Sequence, residues 1–276
     1  MEGDLVNSRV IYTIKANANK LGKYANEPKP WLESDIDEWS IITLNRMQLY
    51  ADRVGADLVV IDESKIREMK VPDSFNTFQI VNMLKFYILD TFSKSEYENM
   101  LFLDLDILVR RDAENIFETV PLTGFHMTVN KNDSDTKTYK ELIHKHYFEH
   151  GRVPPRVFKS LVYNGGIIYA DNESVQKFCK KIPSLFEWDE FFKSHNLRSN
   201  PFFDGVKMNE QHLISMFLSL NHFKVKILDT KWNVGLFYQD PSSNFVHYFG
   251  PAGKEILNKL NKRNENGFSG NLCFYD

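Results

Sequence analysis

Cysteine is scarce. Cys179 and Cys273 are the only two in 276 residues, they lie far apart, and their spacing matches no zinc or redox motif. No structural disulfide is expected, and a reducing compartment is the economical setting. An excess of positive charge is missing too: 34 Lys and Arg stand against 37 Asp and Glu, a formal net charge of −3. That leaves no basic field to hold a nucleic-acid backbone, which excludes nucleic acid as the main partner. No stretch approaches the roughly 18 consecutive apolar residues of a transmembrane segment. The first residues, MEGDLVNSRV, lack the basic start and apolar core of a secretory signal. The expectation is therefore a soluble, cytoplasmic chain, unless a targeting segment has been removed. Internal repeats and low-complexity linkers are also absent.

What is there suffices for a full core, since 42% of residues are hydrophobic and 26% charged. The first half alternates strand and helix signals. RVIYTI (Arg9 to Ile14) is a short β-branched run, followed by WSIITLNRMQLYADRVG, whose Thr43, Met47, Tyr50 and Val54 fall on one helical stripe before Gly55. ADLVVID reads as a second strand, and NTFQIVNMLKFYILDTF as a second helix capped by Asn76 or Thr77. LFLDLDILV (Leu101 to Val109) reads as a third strand. Continuous apolar strands alternating with helices predict an α/β fold whose sheet is mainly parallel and covered on both faces. Ligands collect at the carboxyl ends of such strands. Further on, GFHMTVN, VYNGGIIYAD, FKVKILD and NFVHYFG read as strands. MNEQHLISMFLSL and GKEILNKLNKR read as helices, and Asn172 to Asn196 as a helix broken by Pro183. Leu21 to Asp37 and Lys131 to Pro155 are loop candidates, the latter able to flank a site mouth.

The third strand poses the chemical question. Two carboxylates interrupt an apolar run, and alternation along a strand points Asp104 and Asp106 to the same side near its carboxyl end. Unpaired burial of ionised carboxylates costs several kcal/mol each, so the pair demands solvent, a cation or strong donors. A shared divalent cation satisfies this best, with pairing to Arg110 or Arg111 as the alternative. The pattern alone is weak, because Asp-x-Asp arises about once by chance in a chain this long. Asp35-Ile36-Asp37 and Asp133-Ser134-Asp135 repeat it in polar, loop-like segments and read as incidental.

Other constellations carry two readings each. Asn164-Gly165-Gly166 interrupts an apolar strand, which suits either a bulge or a closely approaching ligand. Glu210-Gln211-His212 opens a helix, where an acidic residue complements the helix dipole with or without a function. His247 lies in an apolar strand, as a core histidine or a ligand. Behind it, Gly250, Pro251, Gly253 and Lys254 form a glycine-rich turn into a helix, the kind of place where backbone N–H groups and an ammonium receive a phosphate. His144, His146 and His150 could mimic a metal site through the i, i+4 pair, but read more simply as a solvated helix.

Taken in order, these pieces resemble the GT-A glycosyltransferases, most closely the family 8 enzymes that transfer a hexose from a UDP-sugar. The likeness rests on LFLDLDILV for the DxD strand, YNGGIIYAD for the Asn-x-Gly strand, NEQHLISMF for the acidic-Gln helix start, and HYFGPAGK for the His-x-x-Gly-x-x-Lys turn. It implies one GT-A domain over 1–276, with residues 1–110 as the nucleotide-sugar half and 111–276 as the acceptor half that also closes the metal and phosphate turn. It implies Mn2+, with Mg2+ as the alternative, held by Asp104, Asp106 and His247. It also implies donor contacts from Tyr12, Thr13, Lys85, Asp104, Asn164, Gly165, Gly250 and Lys254. Tyr12 and Thr13 would hold the nucleobase, Lys85 would face the donor, Asn164 and Gly165 would line the sugar pocket, and Glu210 and Gln211 would stand beside the anomeric carbon. The implied partners are a UDP-sugar donor and a glycan or other hydroxyl acceptor. Two departures stand out: Gly253 is inserted so that Lys254 comes one position late, and the N-terminal portion lacks the family's Asp-rich nucleotide loop.

Three rivals remain. An inverting GT-A enzyme using another nucleotide sugar would need a free carboxylate base, for which Glu210 and Asp204 are the candidates. A haloacid dehalogenase-like phosphatase shares the hhhDxDxxV pattern, but places it on an opening strand followed by Gly-Thr, and neither feature occurs here. A sugar-nucleotide-binding protein without turnover would keep the fold alone. The reading adopted is a retaining, metal-dependent hexosyltransferase.

Overall fold

The computed structural model describes residues 8–17, 36–69, 77–121, 123–129, 161–182, 210–238 and 241–265. The expected loops from Leu21 and Lys131, the His144 to His150 cluster, Asp133 to Asp135, Pro183, Asp204, the Asn76 cap and Cys273 lie outside or largely outside these residues. The elements run β1 (Arg9–Lys15), α1 (Ile36–Val54), β2 (Asp57–Asp62), α2 (Ser64–Glu68), α3 (Thr77–Ser93), β3 (Asn99–Leu103), β4 (Ile107–Val109), α4 (Ile116–Thr119) and β5 (Phe125–Met127). There follow β6 (Ile167–Asp171), α5 (Asn172–Cys179), α6 (Glu210–Leu220), β7 (Val225–Ile227), β8 (Val234–Gly235), β9 (Phe245–His247) and α7 (Gly250–Glu265). No helix among the described residues is long and apolar enough to cross a membrane.

The main sheet has the order β2-β1-β3-β6-β5-β7. β1 pairs in parallel with β2 and β3, β5 in parallel with β7, and only β6 runs against its neighbours. β1 shows why the sheet is covered on both faces. Its Val10, Tyr12 and Ile14 join a cluster with Ile80, Leu84, Ile88 and Phe92 of α3, while Ile11 faces Met47, Tyr50 and Val54 of α1. Complete burial of such side chains contributes roughly 1.5–3 kcal/mol each, before the entropy of ordering them is set against it. The stripe expected on α1 is buried as predicted, and Gly55 ends the helix at φ +63°, a left-handed conformation that glycine adopts without penalty.

The structure corrects the third strand. Leu101 to Val109 is two strands: β3 stops at Leu103, the chain turns through Asp104, Leu105 and Asp106, and β4 leaves for a second sheet of order β4-β9-β8. Ile107 N–H donates to the Asp104 carbonyl at 2.9 Å, closing the turn. A continuous strand would have carried both carboxylates into the sheet between apolar layers. The turn instead brings them to its edge and buries Leu105 against Trp39 and Tyr248. Likewise β6 starts only at Ile167, so Asn164-Gly165-Gly166 is a turn ahead of the strand. The last helix starts at Gly250 (φ +75°), three residues earlier than expected, with Pro251 in its first turn, where a missing N–H loses nothing. α7 packs on α1, and Leu257 and Leu260 complete the third apolar cluster.

Candidate functional site

The carboxyl ends of β1 and β3 open into a cavity of about 280 Å³. Its wall contains Lys85 and Asn82 of α3, Asp104, Leu105 and Asp106 of the turn, Asn164 and Gly166 before β6, Glu210 and Gln211 of α6, and His247, Phe249, Gly250 and Lys254 around β9 and α7. Segments from across the sequence therefore meet at one place, because the β3 turn and the β6 turn abut. Asp104 N–H donates to the Gly166 carbonyl at 2.8 Å.

Both turn glycines are required by that approach. A Cβ on Gly166 would stand 2.7 Å from His247 Cε1 and 3.1 Å from Asp104 Oδ2; one on Gly165 would stand 2.8 Å from Glu210 Oε1 and 3.3 Å from Lys85 Nζ. The close approach of backbone to functional groups thus explains an Asn-Gly-Gly stretch that would otherwise weaken a strand.

Asp104, Asp106 and His247 converge, with donor atoms all within 4.8 Å of one another. His247 Nε2 is 3.1 Å from Asp106 Oδ1 and 4.0 Å from Asp104 Oδ2. Donors sharing one ion at about 2.1 Å lie no more than about 4.2 Å apart, so closure on a cation needs only a small movement. A hydrogen-bond chain assigns the histidine tautomer. Gly166 N–H donates to Asn164 Oδ1 at 2.8 Å, which also accepts from Asn233 Nδ2 at 2.9 Å; this turns Asn233 Oδ1 toward His247 Nδ1 at 3.2 Å. An amide oxygen there calls for a proton on Nδ1, which leaves the Nε2 lone pair of a neutral ring pointing at two carboxylates. That arrangement repels unless a proton or a cation lies between them. Charge agrees: Asp104, Asp106 and Glu210 oppose Lys85 and Lys254, three carboxylates against two ammonium groups on the cavity wall. Two carboxylates and an imidazole fit a divalent cation.

The lysines are built in. Lys85 is 3% exposed, and its ammonium stands 2.5 Å from Glu210 Oε1, 2.9 Å from Asp104 Oδ1 and 3.0 Å from the Gly165 carbonyl. Burial disfavours its charge, but the two carboxylates outweigh burial and raise its pKa. Burial pushes the Glu210 carboxyl up, partly offset by Lys85, and its Oε2 has no hydrogen-bond partner. Gln211 Oε1 accepts from Gly165 N–H at 3.3 Å. Burial would likewise raise the Asp106 carboxyl, yet Lys254 and His247 hold it well below the usual carboxylate range. Lys254 pairs with Asp106, donates to the Tyr248 carbonyl at 3.2 Å and lies 4.8 Å from the centre of the Trp39 ring. Its late position is reconciled by Gly253, where a Cβ would collide with the Tyr248 carbonyl oxygen at 2.2 Å. Only a residue without a side chain lets the first turn of α7 close down on that strand end.

Tyr12 and Thr13 are placed otherwise than expected for base contacts. Both are buried in the sheet below the cavity, Tyr12 edge-on to Phe92 with its phenol pushed up to about 12 by burial, and neither is on the wall. Ile14 and Ala16, farther along the same strand face, line the cavity together with Ile36 and Trp39. The structure also adds residues that no motif indicated. Asn233 orients His247 from a position 14 residues upstream of it, and Trp39 reaches Lys254 from the first turn of α1.

No family model matches the sequence, and no curated protein matches it. Solved structures do match the fold. A galactosyltransferase, LgtC, in complex with donor and acceptor sugar analogues is 13% identical with a TM-score of 0.54, over 91% of this chain and 95% of that one. An active-site glutamine-to-glutamate mutant of LgtC is 12% identical with a TM-score of 0.53, over 91% and 94%. The chain thus has the GT-A glycosyltransferase fold, an α/β architecture with a mostly parallel central sheet flanked by helices.

Proposed function

We propose that this chain is a metal-dependent glycosyltransferase akin to family 8, moving a hexose from a UDP-sugar to a glycan or other hydroxyl acceptor with retention of anomeric configuration. The observation that carries the reading is the convergence of Asp104, Asp106 and His247 on the wall of a cavity that also holds two buried lysines and a Glu-Gln helix start. The whole chain would act as one GT-A domain in the cytoplasm, residues 1–110 serving the nucleotide sugar and 111–276 the acceptor.

In this reading Asp104, Asp106 and His247 hold Mn2+, which when bound supplies Lewis-acid stabilisation to the departing diphosphate. Lys254 gives a diphosphate oxygen a point charge, helped by the backbone of Gly250. Lys85 ties the Asp104 and Glu210 carboxylates together beside the donor sugar, which Asn164 and Gly165 border. The nucleobase rests on the apolar wall of Ile14, Ala16, Ile36 and Trp39, with Tyr12 and Thr13 supporting it from below. Gln211 supports the oxocarbenium charge while the leaving phosphate takes the acceptor proton on the same face.

The inverting alternative draws on the unpartnered Glu210 Oε2. The Lys85 ion pair at 2.5 Å counts against it, because it fixes the carboxyl on an ammonium rather than leaving it free to turn to an acceptor hydroxyl. Kinetics separate the two: Gln211→Ala should cut turnover by tens-fold or less, while loss of a true base at Glu210 would cost about 10² to 10⁴. A screen of nucleotide sugars for Mn2+-dependent turnover identifies the donor, and early-time NMR of the product's anomeric proton reads the outcome. An α-linked product from an α-configured donor supports retention; a β-linked product contradicts it.

A further inference from the structure

Beside the metal cluster the surface carries aromatic rings that the core does not use. Phe237, Tyr238 and Phe249 are 77%, 82% and 58% exposed, and they are the only Phe, Tyr or Trp side chains among the described residues that are exposed. Local structure brings them together. β8 ends at Gly235, paired with His247 of β9, and a 3₁₀ turn over Leu236–Tyr238 follows it. Leu236 buries its side chain in the third apolar cluster and anchors the turn, while the next two residues face outward. Gly235 lies between two of the rings: a Cβ placed on it would be 3.3 Å from Phe249 Cε1 and 3.6 Å from Tyr238 Cδ2. Phe249 joins this patch to the reaction cavity, because it lines the cavity wall and its ring lies 5.7 Å from that of His247, nearly perpendicular to it.

We propose that Phe249, Tyr238 and Phe237 form a shelf on which a pyranose ring of the acceptor saccharide stacks. This deepens the glycosyltransferase reading and rests on it. Exposed apolar surface beside a polar cavity marks a binding site, and flat rings carrying no formal charge suit the C–H face of a neutral sugar. Position selects the acceptor over the donor. An attacking hydroxyl must come within about 3–3.5 Å of the anomeric carbon, so the ring that bears it has to lie immediately outside the cavity mouth. The shelf begins at His247 and extends outward from there. Gly235 keeps its floor low, since a side chain there would crowd the Phe249 ring and touch that of Tyr238.

The test uses saturation-transfer NMR on the full chain with a fixed panel of methyl pyranosides, lactose, maltose and cellobiose, in the presence of UDP and Mn2+. Wild-type protein should transfer saturation to the carbon-bound protons of one ring face in at least one saccharide. The double variant Phe237→Ala/Tyr238→Ala, which removes only exposed side chains, should weaken that saccharide about tenfold or more. Tyr238→Trp should retain it, and Ile227→Ala, at an exposed apolar site elsewhere, should leave it unchanged. Calorimetry of UDP with Mn2+ runs in parallel and should match between wild type and the double variant. A wild type that takes UDP with Mn2+ but no saccharide overturns the shelf while leaving the transferase reading standing. Absence of UDP binding sinks that reading, and the saccharide arm still judges the shelf. Saccharide binding unchanged in the double variant also overturns the proposal. So does shelf-dependent sedimentation with phosphatidylcholine vesicles without saccharide binding, which would make the patch a membrane contact.

Discussion

His247 Nε2 faces Asp106 Oδ1 at 3.1 Å across the junction of β9 and the β3–β4 turn, while Asn233 Oδ1 receives the proton on the other ring nitrogen. The relationship makes Asn233 a positioning residue: it touches no substrate in this account, but decides which nitrogen the metal meets. Groups that orient a metal-bound histidine are typically worth 10–100-fold in metal affinity. Asn233→Ala should therefore lower Mn2+ affinity within that range, read by calorimetry with Mn2+ alone. Full-strength binding in the variant would mean that the tautomer assignment is wrong.

Gly166 is the second test. An alanine Cβ would sit 2.7 Å from His247 Cε1 and 2.9 Å from Asn164 Oδ1, so ring and amide must both shift. Overpacking of this kind costs about 1–3 kcal/mol. Gly166→Ala should lower the thermal midpoint and lose Mn2+ binding together, measured by melting with and without the ion. A variant that melts normally and binds Mn2+ normally would contradict the packing described.

The placement of Asp106 alters what its removal should do. A solvent-facing ligand at a strand end, as the sequence suggests, could be replaced with little loss of stability. In the structure its side chain is only 14% exposed and pairs with Lys254 and His247. Burial raises its carboxyl, Lys254 and His247 outweigh burial, and the folded pKa lies below the unfolded value near 3.9. A depressed carboxylate contributes stability above its unfolded pKa and loses it as pH falls through the folded one. Asp106→Asn should thus destabilise the metal-free protein at pH 7 by about 1–3 kcal/mol. Melts of wild type and variant should converge as the pH drops below about 4. A gap that persists unchanged into acid would remove the electrostatic explanation.

Lys254 supplies a fourth expectation. Its flexible ammonium pairs with Asp106 and is proposed to turn to the donor diphosphate. Lys254→Ala should raise the donor Michaelis constant, and the salt dependence seen in the parent enzyme should flatten. Equal donor kinetics at low and high salt in both proteins would reduce Lys254 to a structural ion pair.

Much of this architecture was legible because its signals are local. The α1 stripe through Met47, Tyr50 and Val54, the stop at Gly55 and the apolar runs of β1 and β2 each depend on neighbours a few residues away. The DxD pair and His247 were legible because carboxylates and an imidazole stand out in apolar strands. What was hidden depends on distance in sequence. β3 ends where the Asp104–Ile107 turn closes and β4 leaves to pair with β9, a partner far away in sequence that the apolar run does not disclose. Tyr12 and Thr13 look available at the end of a strand, yet helices cover both faces of that strand. Asn233 carries no spacing signal at all, and its role exists only through Asn164 and His247. Lys254 looked displaced because the Gly253 insertion reads as a register error, whereas its contact with the Tyr248 carbonyl makes it the condition for the helix to close.

The central claim is that Asp104, Asp106 and His247 form a divalent-cation site that recruits a nucleoside diphosphate. Calorimetric titration of UDP into wild type, His247→Ala and Asp104→Asn, each with and without Mn2+, tests it most directly. The account predicts tight UDP binding by wild type only when Mn2+ is present, and loss of that Mn2+-dependent increment in both variants while weak metal-free binding stays the same. Equal UDP affinity with and without Mn2+ in the wild type, or an undiminished Mn2+ effect in His247→Ala, would contradict it.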